Sequence, residues 1–224
     1  SGNLEIICPD AVVAVSRMQQ EAEQVSEVQL KSGRHLRASL VVAADGKKSV
    51  LRDLLGIDTQ GWLYDQHALV ATVTTAAGHQ HTAWQRFMPE GPLAFLPLSH
   101  NGDKDCSIVW STTPEKAKQL LEMDAAEFCM ALTLASEATL GEITAVESRG
   151  VFPLELKHAT TYIKEGFVLV GDAAHAIHPL AGQGVNLGFQ DVEALTRLVT
   201  TARQQGRDIG GLRILRQFER ERKG

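Results

Sequence analysis

Asp172 stands at the end of an apolar run, Phe167-Val168-Leu169-Val170-Gly171, and Pro179, Gly182 and Gly184 follow before a helical pattern opens near Val185. Such a run reads as a buried strand that delivers a carboxylate to its end. A carboxylate so placed is a natural acceptor for a ribose hydroxyl, as acidic residues are in dinucleotide-binding folds. Pro179 stiffens the loop, and the glycines let backbone come close to a ligand. The helix start gathers free N–H groups at a positive dipole end, which suits a phosphate or an electron-rich ring. Asn186 and the N–H groups around Gln183–Val185 are placed to bond a carbonyl edge. From the residues alone, 167–188 reads as a cofactor site.

A second group, Asp45-Gly46-Lys47-Lys48-Ser49-Val50-Leu51-Arg52, follows another apolar run, Leu40-Val41-Val42-Ala43-Ala44. Gly46 permits a tight turn, Ser49 can cap a helix, and Arg52 is one turn on, able to pair with Asp45 or a phosphate. Alone, this group reads equally as an Asp-Gly turn before a capped helix. His175 and His178 lie near Asp172, but no further Cys or carboxylate stands at ligand spacing, so no metal is expected. Trp62, Trp84 and Trp110 read as core or interface, and His67, His79, His81, His100 and His158 as surface or packing residues. Hydrolase and nucleotide-triphosphatase signatures are missing from the sequence, and no side chain is singled out as catalytic.

The elements that must carry these groups alternate between two textures. Strand-like runs at 4–8, 11–17, 27–30 and 36–43 open the chain, with a hairpin turn at Lys31-Ser32-Gly33-Arg34. A short helix is expected at 49–55. Strand–Asp-Gly–helix here and strand–Gly-Asp–helix later point to an α/β arrangement. Between them, strand-like runs at 67–75, 83–88, 93–97, 106–111 and 147–154 surround helices at 114–121 and 124–134, which suggests an α+β insertion. After Gly184 the apolar positions Val185, Phe189, Val192, Leu195, Leu198 and Val199 follow a helical period, and 207–223 forms a more charged helix.

The 224 residues suffice for one substantial core, and 44% hydrophobic with 22% charged residues is an ordinary globular balance, not that of a disordered chain. A net charge of −5 gives no electrostatic case for nucleic acid. Cys8, Cys106 and Cys129 are sparse and unpaired in spacing, which fits a reducing compartment; with no signal peptide or transmembrane run evident, a cytoplasmic location is expected.

Taken together, residues 41–52 resemble the "DG" motif of class A flavoprotein monooxygenases, and Gly171-Asp172-Ala173-Ala174-His175 with Pro179 resembles their "GD" motif. Pro179-Leu180-Ala181-Gly182-Gln183-Gly184-Val185-Asn186-Leu187-Gly188, and Ala94-Phe95-Leu96-Pro97-Leu98 after Pro89-Glu90-Gly91-Pro92, resemble the ubiquinone-biosynthesis hydroxylase branch. The resemblance implies a para-hydroxybenzoate-hydroxylase-like fold. An FAD-domain portion with the DG motif would span 1–62, an inserted mixed-sheet substrate domain 63–158, and the FAD-domain return with the GD motif 159–224. It implies FAD as cofactor and NAD(P)H as co-substrate, with a flavin C4a-hydroperoxide hydroxylating a polyprenylated phenol. Asp172 would bind the FAD ribose beside Gly171; Pro179, Gly182, Gln183, Gly184, Val185 and Asn186 would lie along the isoalloxazine ring; Asp45 and Arg52 would serve FAD and NAD(P)H.

Such a family begins with a Gly-x-Gly-x-x-Gly unit for the FAD pyrophosphate, which these residues do not contain, and 207–223 stops in mid-helix by pattern. The expectation is therefore a piece of a longer chain that by itself binds FAD weakly or not at all and does not turn over. The implied partners are a polyprenyl phenol and O₂, without nucleic acid. A biosynthetic complex, a homo-oligomer and a peripheral place at the inner membrane stay open, as do a small soluble phenol as substrate and a non-catalytic binding module of the same fold.

Overall fold

The two apolar runs that precede Asp45 and Asp172 fold side by side: Val41–Ala43 pairs in parallel with Phe167–Leu169, with Val41 opposite Phe167 and Ala43 opposite Leu169. The computed structural model describes residues 3–20, 23–99, 101–176 and 183–223. Along the chain, β1 (Val12–Gln20), β2 (Glu23–Leu30), β3 (His35–Ala38) and β4 (Val41–Ala43) lead to α1 (Val50–Leu54). A long β5 (Thr59–Thr75) is followed by β6 (Trp84–Met88), β7 (Gly91–Pro97), β8 (Asp105–Thr112), α2 (Pro114–Glu122), α3 (Ala125–Ala135) and the equally long β9 (Ile143–Ala159). Then come β10 (Ile163–Lys164), β11 (Phe167–Leu169), β12 (His175–Ala176), α4 (Gln183–Gln204) and α5 (Leu212–Lys223).

The chain divides into two units, one of Ser1–Trp62, Leu156–His178 and Gly182–Gly224, the other of Leu63–Glu155 with Pro179–Ala181. The first is α/β. Its sheet β10-β11-β4 carries the parallel pair, and β1-β2-β3 forms an antiparallel meander. Phe167, Val168, Leu169 and Val170 are all buried, as a strand covered on both faces requires, against Leu195, Leu198, Leu215 and Phe218 of the two long helices. The run expected as one strand at 36–43 is two. Residues 35–38 pair with β2, and the chain changes sheet at Ser39, where a Cβ on Gly210 would come within 2.1 Å of the Ser39 carbonyl oxygen. Residues 4–8 form no strand; Leu4 and Ile6 are exposed, because an alternating pattern without a partner ladder has nothing to pair with.

The second unit is α+β. The pairs β5–β8, β8–β7 and β7–β6 are antiparallel, and Leu69, Val73, Leu93, Phe95, Ile108 and Trp110 pack with Leu120, Phe128 and Leu132 of α2 and α3. Both helices start as their sequences dictate. Thr113 caps α2 ahead of Pro114, and Asp124 with Glu127 forms a reciprocal capping box on α3. Trp110 lies in this core and Trp62 is exposed. Among the described residues no helix is long and apolar enough to cross a membrane.

Candidate functional site

The parallel register brings Asp45 and Asp172, far apart in sequence, past the carboxyl ends of adjacent strands in the first unit. The pairing continues one step beyond the strands, where Val170 N–H donates to the Ala43 carbonyl at 3.0 Å. In open α/β sheets this edge is where ligands bind.

The two carboxylates are used differently. Asp45 Oδ2 accepts the Leu51 N–H at 3.1 Å and Ser49 Oγ accepts that of Arg52 at 3.0 Å, so together they satisfy the first turn of α1. Asp172 lies in a short 3-10 turn, Gly171–Ala173, and is exposed, with no hydrogen bond to its carboxylate among the described residues. Lys47 lies near it. Partial burial pulls the Lys47 ammonium below its ordinary value, and the charge of Asp172 opposes that.

Arg52, read from the sequence as able to pair with Asp45 or a phosphate, is buried and bonds to backbone carbonyls. Its guanidinium is 3% exposed and donates to the Ala173 carbonyl at 3.1 Å and the Lys47 carbonyl at 3.2 Å, with Asp53 at 3.5 Å. It stitches the Asp45 turn to the Asp172 turn, and its buried Nε has no hydrogen-bond partner among the described residues.

Gly171 has φ +57, which glycine adopts without strain, and a Cβ on Gly188 would sit 3.4 Å from the Gly171 Cα. The helix backbone therefore comes directly against the strand-end turn. Gly184, by contrast, has nothing within 4 Å of where its Cβ would be. Val185 and Asn186 are exposed; Gln183 is the first residue of α4, and Pro179 and Gly182 lie outside the described residues, as does His178.

The helical stripe expected on α4 is rotated in its first half. Val185, Phe189 and Val192 are exposed, while Asp191, Ala194, Leu195, Leu198 and Ala202 are buried. Asp191 escaped the sequence reading because it occupies an acidic gap in an apolar period. The spacing to Ala194, Leu195 and Leu198 was the available signal.

The Asp191 carboxylate is fully buried and accepts from Gly171 N–H at 2.8 Å, His175 Nε2 at 2.7 Å and Arg222 Nε at 2.6 Å. Burial penalises its charge, but the bonds from His175, Arg222 and Gly171 outweigh that and hold the carboxyl below its ordinary value. His175 thus serves as a hydrogen-bonded packing residue. It stacks with His158 at a ring separation of 6.3 Å and lies tilted against Tyr162 at 5.6 Å. Burial, with Asp191 nearby, pushes the Tyr162 hydroxyl up to about 12.

In the second unit, His79, His81 and Asp103 are the described grouping with metal-ligand spacing. His79 has no nitrogen to spare, since Nδ1 accepts the His81 N–H at 3.0 Å and Nε2 donates to the Leu98 carbonyl at 3.0 Å.

The chain is 38% identical to 3-demethoxyubiquinol 3-hydroxylase of Escherichia coli (strain K12), over 96% of the chain and 53% of that protein. It is 39% identical to the mitochondrial ubiquinone biosynthesis monooxygenase COQ6 of Danio rerio, over 88% of the chain and 47% of that protein. It therefore spans about half the length of the curated relatives it matches. Among solved structures, PqsL of P. aeruginosa in complex with 2-aminobenzoylacetate superposes with a TM-score of 0.72 at 26% identity, over 95% of this chain and 58% of that one. The ternary complex of aklavinone-11 hydroxylase with FAD and aklavinone shares the fold, with a TM-score of 0.69 at 20% identity, over 87% of this chain and 37% of that one. The FAD binding domain family matches residues 7–223, and with the two strand-end carboxylates on one sheet edge, the chain belongs to that family.

Proposed function

We propose that this chain is part of an FAD- and NAD(P)H-dependent aromatic-ring monooxygenase that hydroxylates a polyprenylated phenol in ubiquinone biosynthesis. The observation that carries the reading is the exposed carboxylate of Asp172, without a hydrogen-bond donor among the described residues, at the carboxyl end of a buried parallel strand, on a chain whose relatives include ubiquinone-biosynthesis hydroxylases.

The residues fit a flavin nucleotide. Among the described residues Asp172 has two acceptor oxygens without a hydrogen-bond donor, available to a ribose diol, and a Cβ on Gly184 would point into open space. In this reading Asp172 holds the ribose, and Gly171 sets its backbone. Gln183, Gly184, Val185 and Asn186, with Pro179 and Gly182, line the ring. Asp45 shapes the adjoining turn, and Arg52 acts from beneath by fixing both turns. Residues 1–62 and 159–224 serve the cofactor and 63–158 the substrate. FAD, once bound, supplies the redox chemistry by which oxygen from O₂ enters an activated ring. The protein groups contribute orientation and a fixed electrostatic setting.

The test is NAD(P)H oxidation and product analysis by the complete, FAD-loaded protein with a polyprenylated phenol and with its short-chain analogue. Hydroxylation of the prenylated ring supports the proposal. The PqsL complex with 2-aminobenzoylacetate motivates the second reading, a small soluble aromatic substrate. Turnover confined to short analogues would favour it, and flavin binding without any hydroxylation across both classes would leave a non-catalytic module.

A further inference from the structure

Asp191 is buried completely, lies three residues beyond Gly188 on α4, and bonds back into the strand-end turn. One oxygen accepts both Gly171 N–H and His175, and the other accepts Arg222 Nε. Each bond reaches a different element: the strand-end turn, β12 and α5. Arg222 also donates Nη2 to Gln190 Oε1 at 3.1 Å and to the Leu187 carbonyl at 3.4 Å, gripping the turn of α4 that precedes the carboxylate.

We infer that Asp191 is a positioning residue of the cofactor site, which sets the direction of the Asp172 carboxylate by fixing the peptide of Gly171. The inference rests on the reading of Asp172 given above. Glycine at φ +57 is unstrained but permissive, and an N–H held by a buried carboxylate turns that permissive joint into a single conformation. Asp172 is the next residue, so its direction follows from that joint. The same carboxylate joins the turn to α4, whose first residues face the proposed ring site. Arg222 pairs with Asp191 at 2.6 Å, so the charge of that buried carboxylate is offset within the fold.

The experiment measures FAD dissociation constants by fluorescence and the visible circular dichroism of bound flavin, in the complete protein, for Asp191→Asn, Arg222→Lys and Asp172→Ala, with thermal unfolding of each FAD-free protein. Asparagine preserves shape but presents a donor where only donors face it. Asp191→Asn is expected to weaken FAD binding about 10-fold and to change the flavin dichroism, the loss expected for one charged hydrogen bond. Arg222→Lys is expected to act in the same direction, and it decides the matter if Asp191→Asn does not fold. Parental FAD affinity and dichroism in these two variants, with Asp172→Ala weakened, would overturn the inference even if their unfolding temperatures fall. Parental FAD affinity in Asp172→Ala would instead overturn the cofactor reading beneath it.

Discussion

Arg52 and Ala173 are 121 residues apart in the chain and joined by a 3.1 Å hydrogen bond from guanidinium to backbone carbonyl. The same guanidinium holds the Lys47 carbonyl, so one buried cation ties together the turns that carry Asp45 and Asp172. A parallel pair of three-residue strands is short, and side-chain stitching of its ends makes the edge a defined surface.

Replacing Arg52 by Met should therefore cost about 2–4 kcal/mol, since two carbonyls at a buried junction lose a charged donor. Arg52→Lys should recover only part of this, because an ammonium cannot span both acceptors as the planar fork does. Urea unfolding of the three proteins measures it. A loss in Arg52→Met within about 0.5 kcal/mol of zero would mean that strand pairing alone holds the two turns together.

The pH dependence of stability should carry a signature of His158. Burial, with the neighbouring charges of His175 and Lys223, lowers its pKa from the ordinary 6.5. Between the folded value and 6.5 the unfolded chain binds more protons than the folded one, so stability falls as pH drops through that window and is complete above it. The His158→Gln variant should show a shallower decline from about pH 7.5 to 5.5 than the parent. Parallel curves would show that His158 titrates alike in both states.

Gly61 marks a close crossing in the first unit, where an added Cβ would fall 1.9 Å from the Leu156 carbonyl oxygen and 3.0 Å from the Lys157 Cα. Neither atom is a flexible side-chain end, so β5 and β9 would have to separate. Gly61→Ala should lose about 3 kcal/mol or more, well beyond its conformational effect in a strand. Thermal unfolding reads this directly, and an unchanged midpoint would contradict so close an approach.

What the sequence made legible was what depends on local pattern. The run 167–170 could only be a buried strand, Thr113-Pro114 and Asp124-x-x-Glu127 announce helix starts, and Lys31–Arg34 announces a hairpin. The Asp172 edge was legible for the same reason. What depends on distant partners was not. Nothing in 36–43 says that Ser39 must yield to Gly210, and nothing near Arg52 says that its acceptor is Ala173. Asp191 was obscured by the exposed Val185, Phe189 and Val192, which outweigh one acidic residue in a periodicity count. A buried carboxylate becomes intelligible only when its three donors, from three other elements, are in view.

Gly184 separates packing from ligand binding most cleanly. Its position in α4 is helical, it has no positive φ, and among the described residues nothing outside its own stretch of helix lies within 4 Å of an added Cβ. Considered as a helix residue alone, Gly184→Ala should leave the FAD-free protein unchanged or stabilise it by up to about 1 kcal/mol. Considered as the floor of a ring site, the same methyl group should intrude on FAD and weaken binding about 10-fold or more in the complete protein. The two effects have opposite signs, so unfolding of the FAD-free protein and flavin titration of the same variant are read together. Stabilisation with parental FAD affinity would show that the glycine serves the fold of α4 and that the flavin ring lies elsewhere. Stabilisation with weakened FAD binding would assign the open space beside Gly184 to the cofactor.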